Sequence, residues 1–378
     1  MRDETIASSV GIDRDAAHGA VTPPLYLSSN YSFAGFEEKR AFDYSRSGNP
    51  TRALLADALA KLERGAGAVV TSSGMAAVDL VLAQLAPGAR VVAPHDCYGG
   101  TWRLLEARAR KGALRVEYID QSEQSAVAEA LREPAALLWI ETPSNPLMRV
   151  VDVAALAAAA KRNGARVAVD NTFLSPALQK PIGLGADYVV HSTTKYLNGH
   201  SDVVGGAVVA ADGAAAQELA WWANCTGVTG SAFDAWLTLR GLRTLFVRIE
   251  RQQQSAQRVA AWLTTRASVA QVYYPGLEQH PGHAIAKRQQ AGFGAMLSFE
   301  LQSEFSPREF VSRLSRFTLA ESLGGIESLI AHPATMTHAA MSPEARARAG
   351  ITDHLFRVSV GLEHVEDLIE ALEGALPR

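Results

Sequence analysis

The chain has 378 residues, 48% of them hydrophobic, which is enough for a large core and a second domain. Lys and Arg number 36 and Asp and Glu 39, so the formal net charge is −3, without the basic surplus that marks a nucleic-acid binder. Two cysteines exclude a disulfide framework and fit a reducing compartment. Residues 1–10 are polar and lack a secretory pattern. The longest apolar runs, such as 153–160, fall far short of the roughly 20 residues a span needs. A cytoplasmic protein acting on small molecules, away from membranes and nucleic acid, is expected.

Residues 20–50 carry three prolines and the aromatics Tyr26, Tyr31, Phe33, Phe36, Phe42 and Tyr44. That composition predicts an extended, irregular arm, whose rings need another surface, such as a second copy, to pack on. From about Leu54 short β-branched runs recur at 68–71, 90–93, 115–119, 136–140, 166–170 and 188–191. Segments of helical period at 75–85, 101–111, 126–132 and 153–162 separate most of them. This alternation predicts an α/β domain with a mostly parallel sheet covered on both faces. It stops near Gly206, and a long polar helix is expected around 242–264. The remainder predicts a smaller C-terminal α+β domain, with strands at 295–301 and 355–360 and helices at 307–314, 343–349 and 365–376. The expected organisation is an arm over 1–50, an α/β domain over 51–245 and a C-terminal domain over 246–378.

Ligands in open α/β sheets bind beyond the carboxyl ends of the strands, and five polar, turn-rich segments stand at those ends. Ser72-Ser73-Gly74-Met75 opens a helix, where free N–H groups favour a phosphate, or where a serine simply caps. Tyr98 lies in a glycine-flanked turn, either stacking on a planar ligand or packing as a loop side chain. Asp170 ends an apolar strand, as a turn cap or as the negative partner of a pyridinium nitrogen. Ser192-Thr193-Thr194-Lys195 places two hydroxyls in i, i+2 relation before a lysine. In an extended segment both would face one phosphate, with Lys195 free to form a Schiff base. Arg357 interrupts a C-terminal strand, either snorkelling at an edge or pairing a carboxylate. No dinucleotide fingerprint, Walker loop or metal-ligand spacing is present, and Cys97 lacks a histidine partner in sequence.

The strings from Tyr44 to Thr51, Ser73 to Ala76, Asp96 to Gly100, Glu141 to Pro146, Val169 to Thr172, His191 to Asp202 and Ala320 to Ser328 resemble, in order, the Cys/Met-metabolism family of pyridoxal-phosphate enzymes. Trp221-Trp222-Ala223-Asn224 and Thr335 to Ala339 resemble most its cystathionine γ-synthase branch as found in bacteria. The resemblance implies the fold-type I, aminotransferase-like architecture, assembled as a homotetramer of catalytic dimers. It implies pyridoxal 5'-phosphate carried by Lys195, with Asp170 at the pyridine nitrogen and Tyr98 on the ring. Gly74, Met75, Ser192 and Thr194 would hold the phosphate, with Tyr44 and Arg46 of the adjacent subunit. Arg357 would bind the substrate α-carboxylate, with Ser322 and Asn145 nearby, and Glu321 would meet a substrate amino group. Arg103, one helical turn beyond Tyr98, is either a solvent-facing arginine or the partner of a distal carboxylate. The activity implied is γ-replacement joining an O-acylhomoserine, the succinyl ester foremost, to cysteine. Cleavage of cystathionine is the alternative, and a catalytically silent scaffold is the reading from another class.

Overall fold

The computed structural model describes residues 1–378 except Asp13, Ala340 and Arg378. Strands in chain order are β1 Gly67–Thr71, β2 Ala89–Pro94, β3 Leu114–Ile119, β4 Leu137–Glu141, β5 Arg166–Asp170, β6 Tyr188–His191 and β7 Gly206–Ala210. There follow β8 Val269–Tyr273, β9 Met296–Leu301, β10 Thr318–Leu319, β11 Leu329–Ala331 and β12 Leu355–Ser359. The chain divides into two units, Met1–Ala86 with Val167–Phe246, and Pro87–Arg166 with Val247–Arg378.

In the first unit the strand order is β1-β7-β6-β5. β5 and β6 are parallel, whereas β7 runs antiparallel to both of its neighbours. The sheet is therefore mixed here. β7 begins where the sequence alternation breaks off: the chain turns at 193–198 and returns beside β6 without a crossover helix. Val167, Val169, Val189, Val190, Val208 and Val209 are fully buried, the near-continuous apolar pattern of strands covered on both faces.

The arm is not extended throughout, because Asp3–Ser9 is helical. Beyond it the described residues up to the helix Pro50–Glu63 form only turns, bends and isolated bridges. Asn49 anchors it. Its side-chain oxygen caps the helix by accepting from the amides of Thr51 and Arg52. Its Nδ2 donates to the Tyr26 carbonyl and lies within reach of the Tyr31 and Ser45 hydroxyls. The arm's outer rings stay exposed, Phe36 at 92% and Phe33 at 48%.

In the second unit β4, β2 and β3 form a parallel trio in that order. A separate sheet runs β10-β11-β12-β9-β8, in which only β10 and β11 pair in parallel. Phe299, Phe310 and Phe356 form its aromatic core, with ring centroids 4.9 to 5.8 Å apart. The strands β10 and β11, of two and three residues, carry too few alternating residues to announce themselves in sequence. The expected helix over 242–264 is present as Leu245–Leu263, and a further helix, Ala232–Leu242, precedes it across a turn in which the Thr244 amide donates to the Gly241 carbonyl at 3.1 Å. Among the described residues no helix is long and apolar enough to cross a membrane.

Asn49→Ala removes the cap and three arm contacts at a site that is 2% exposed. Chemical denaturation should show a loss of about 2–4 kcal/mol. A loss under 1 kcal/mol would mean that the arm is not anchored through this side chain.

Candidate active site

The first unit gathers one cluster of the sequence-predicted residues. Ser73 caps the helix Gly74–Ala83 by accepting from the Ala76 amide at 3.1 Å, so the capping reading holds. The amides of Gly74 and Met75 lie before the first intrahelical acceptor, as at any helix start, and remain suited to an anion. A Cβ on Gly74 would come within 2.8 Å of the Ser192 side chain, and one on Gly206 within 2.2 Å of the Ser73 carbonyl. Only glycine permits this close approach of loop to loop.

Asp170, at the end of β5, receives the Thr172 amide at 3.0 Å, and the Thr172 hydroxyl in turn receives the Ser192 amide at 3.0 Å. Thr172 thus ties the strand-end carboxylate to the segment that leads to Lys195. Burial pushes the Asp170 carboxyl up, against the Thr172 hydroxyl and amide and the His191 imidazole, which all favour the anion.

The reason expected for Ser192 and Thr194 to face the same way is corrected. Residues 193–198 form turns rather than an extended run, and the Lys195 amide donates to the Ser192 carbonyl at 3.2 Å. The Thr194 hydroxyl takes the Gly205 amide at 3.0 Å and lies 3.2 Å from the Gly205 carbonyl. Lys195 is half-buried in this turn.

Beneath these strand ends lies a polar group that the sequence reading missed. Glu63 and His191 are both fully buried, with Nε2 2.7 Å from Oε1. Asn171 donates to the same Glu63 oxygen at 2.8 Å and to the Gln179 carbonyl at 2.9 Å. Glu63 is the last residue of the helix Pro50–Glu63, and no local signal marks it. Tyr44 and Arg46 make other contacts: the Arg46 guanidinium sits 5.4 Å over the Tyr44 ring and donates to Asn224 Oδ1 at 3.0 Å. Both are exposed.

The second unit gathers the rest. The Tyr98 amide donates to Glu141 Oε2 at 2.7 Å, and Trp139 Nε1 donates to Oε1 of the same buried carboxylate at 3.1 Å. Burial raises the Tyr98 phenol, as do the charges of Glu321 and Glu141, while Arg103 and Arg357 act the other way. Tyr98 is nevertheless 42% exposed, a ring presented to solvent among charges of both signs. Arg103 and Glu321 are exposed as well.

β12 is an inner strand between β11 and β9, so Arg357 does not snorkel at an edge. It is 3% exposed. Its Nη1 donates to Asn145 Oδ1 at 3.0 Å and its Nη2 to the Ser322 carbonyl at 2.8 Å. Ser322 holds φ +82, a left-handed backbone that aims this carbonyl and is costly for a residue with a side chain. Cys97 is buried, and burial with the carboxylates of Glu141 and Asp96 raises its thiol well above the usual range, which disfavours a nucleophilic thiolate. A cleft of about 1310 Å³ in this unit, lined by residues including Leu131, Arg149 and Tyr273, includes none of the predicted site residues. Among the described residues no group of three or more His, Cys, Asp or Glu could hold a metal ion.

Helix-start amides beside hydroxyls, a lysine in a turn and a carboxylate in need of a cation together define an α/β site suited to a phosphorylated, carbonyl-bearing heteroaromatic cofactor. Residues 4–377 match the family described as Cys/Met metabolism PLP-dependent enzyme, and the chain belongs to that family. It is 57% identical over 375 residues to cystathionine gamma-synthase of Escherichia coli strain K12, covering 99% of this chain and 97% of that one. It is 43% identical over 376 residues to cystathionine gamma-lyase of Bacillus subtilis strain 168, covering 100% and 99%. Relatives named cystathionine beta-lyase lie between the two in identity. The crystal structure of cystathionine gamma synthase from Xanthomonas oryzae pv. oryzae in complex with cystathionine superposes with a TM-score of 0.98 at 60% identity, covering 99% and 97%. The fold is accordingly that of fold-type I pyridoxal-phosphate enzymes, and the cofactor is pyridoxal phosphate.

Two buried imidazoles set a pH dependence. Burial lowers His280 and His338 from 6.5 to about 4. His283 also lowers His280, against a bond to the Met148 backbone. Arg357 also lowers His338, against the Asn145 carbonyl and Asp96. The unfolded chain binds these protons first. The stabilising contribution is therefore complete above pH 6.5 and is lost as pH falls toward 4, by at most about 3 kcal/mol per group. Denaturation at pH 7.5 and 5 should show the loss, and His280→Gln should make it smaller. An equal loss in that variant would contradict the assignment to His280.

Proposed function

We propose that this enzyme joins an O-acyl-L-homoserine, with O-succinyl-L-homoserine foremost, to L-cysteine, giving L-cystathionine and the carboxylic acid. The observation that carries this reading is the charge set around Tyr98: Arg357 and Arg103 as cations and Glu321 as an exposed anion, the other anion, Glu141, being buried and engaged by the Tyr98 amide and Trp139 Nε1. A succinyl ester of homoserine brings two carboxylates for the two guanidiniums, and the incoming cysteine brings the amino group that Glu321 can meet. The identity to the synthase of Escherichia coli supports the same reading. The Xanthomonas structure with cystathionine supports a cystathionine-sized ligand.

Lys195 would carry the cofactor through its amine and, as a free amine, would move protons on the substrate. Pyridoxal phosphate, when bound, supplies the electron sink that acidifies the substrate's Cα and then Cβ. Asp170 would hold a protonated ring nitrogen, and a cation there would offset the burial that otherwise raises its carboxyl. Gly74, Met75, Ser192 and Thr194 would hold the phosphate, and Tyr98 would stack on the ring. Arg357, with Asn145 and Ser322, takes the α-carboxylate, and Glu321 meets an amino group. Tyr44 and Arg46 serve the site of a neighbouring copy in a cytoplasmic tetramer, consistent with an arm whose rings stay exposed.

The deciding experiment compares kcat/KM for O-succinylhomoserine plus cysteine with that for cystathionine cleavage. The first should be the larger, and dominance of cleavage would replace the synthase reading with that of a cystathionine γ-lyase. Arg103→Ala separately tests the distal carboxylate. It should raise KM for O-succinylhomoserine by about tenfold, or about 1.4 kcal/mol, and KM for O-acetylhomoserine far less. Equal losses for the two esters would refute that role of Arg103.

A further inference from the structure

The segment after β11 carries a buried imidazole to which the proposed reaction gives no part. His338 is 1% exposed. Its Nε2 lies 3.2 Å from the Asn145 carbonyl and its Nδ1 2.8 Å from the Thr337 hydroxyl. Burial and the neighbouring Arg357 push this imidazole down to about 4, so the ring is neutral at working pH. A neutral imidazole has one donor and one acceptor nitrogen. A carbonyl oxygen only accepts, so the proton sits on Nε2, and Nδ1 accepts from the Thr337 hydroxyl. Both ring nitrogens are then satisfied, and the tautomer follows from the partners.

The same Asn145 whose carbonyl takes the Nε2 proton presents its Oδ1 to Arg357 Nη1 at 3.0 Å. Thr337 and His338 thus hold the backbone of Asn145, and the side chain of the same Asn145 holds the guanidinium of Arg357. Thr337 is itself held from another side. A Cβ on Gly99 would lie 2.9 Å from the Thr337 carbonyl, so the segment bears directly on the start of the helix Gly99–Arg110. The imidazole is thus braced on both sides.

Two features suit a neutral ring here. A charged imidazolium would repel the adjacent Arg357, and it would turn Nδ1 from an acceptor into a second donor. We propose that His338 is a positioning residue for the substrate α-carboxylate: it fixes Asn145, and through Asn145 the plane in which Arg357 presents its two donors. This rests on Arg357 as the carboxylate binder. A bidentate guanidinium loses its advantage when its plane tilts, so the effect should fall on ligands that carry a carboxylate and spare those that lack one.

The test uses the holoenzyme with two probes of one skeleton, L-alanine and L-alaninol, the second lacking the carboxylate. Binding is followed through the visible absorbance of the bound cofactor. His338→Ala should weaken L-alanine roughly tenfold and leave L-alaninol and the free enzyme's spectrum unchanged. His338→Gln, which keeps a donor for the Asn145 carbonyl, should recover most of the loss. Equal weakening of both probes, undiminished L-alanine binding, or a Gln variant as poor as Ala would each overturn the proposal. Should His338→Ala fail to fold, Thr337→Val takes its place. A smaller loss confined to L-alanine supports the role of His338, and no selective loss refutes it. Arg357→Lys serves as the reference. If that variant does not separate the two probes, the carboxylate role of Arg357 fails, whatever the result at His338.

Discussion

A guanidinium buried within an inner strand is the constraint on which the second unit depends. Removing Arg357 from water costs several kcal/mol unless its donors are met, and an apolar strand supplies nothing to meet them. The chain answers by bringing two distant oxygens to it. The Ser322 carbonyl arrives through a left-handed backbone, and Asn145 Oδ1 arrives from the loop after β4. That loop is secured in turn. Ser298 donates to the Pro146 carbonyl at 2.6 Å, and Asp96 takes Ser144 at 2.6 Å and Arg149 at 2.8 Å. Both oxygens on the guanidinium are neutral amide oxygens, each taking one of its donors.

The first unit solves a related problem at its strand ends. Asp170 and His191 close neighbouring strands and are followed by loops bearing hydroxyls and a lysine. Polar groups at that depth need partners. Thr172 supplies one on the side of Asp170 and Ser192. Glu63 gathers His191 and Asn171. Truncating one member of such a network leaves its partners buried and unpaired, which costs more than the bonds themselves contribute. The network therefore holds the strand ends rigid around Asp170 and the turn that carries Lys195. Glycines at 74 and 206 complete the arrangement by letting the loops touch.

Much of this was legible in the sequence. β5 and β6 lie where their β-branched runs placed them, and the helix Val153–Arg162 agrees to the residue. These segments are set by local periodicity and by caps such as Asp152, which accepts from the Ala155 amide at 2.9 Å. The elements that escaped are short or depend on a neighbour. β7 has no helix before it, β10 holds two residues, and the helix Asp3–Ser9 sits in an arm read as irregular. The turn over 193–198 escaped for another reason. Its hydroxyls look equally suited to a strand, and only the backbone of Gly205 claims the hydroxyl of Thr194.

The sequence by itself determined the type and order of the main elements, the polar segments at the strand ends, and the family to which those segments belong. Each rests on residues close together along the chain, whose spacing and side-chain chemistry act locally. Only the tertiary structure decided what those segments meet. It placed Arg357 on an inner strand rather than an edge, joined it to Asn145 and Ser322, paired Glu63 with His191, and set the proton of His338 on Nε2. Such outcomes depend on burial and on partners scores of residues away. Neither has a periodic trace in sequence, because the energy of a buried polar group is set by whichever neighbour folding brings to it.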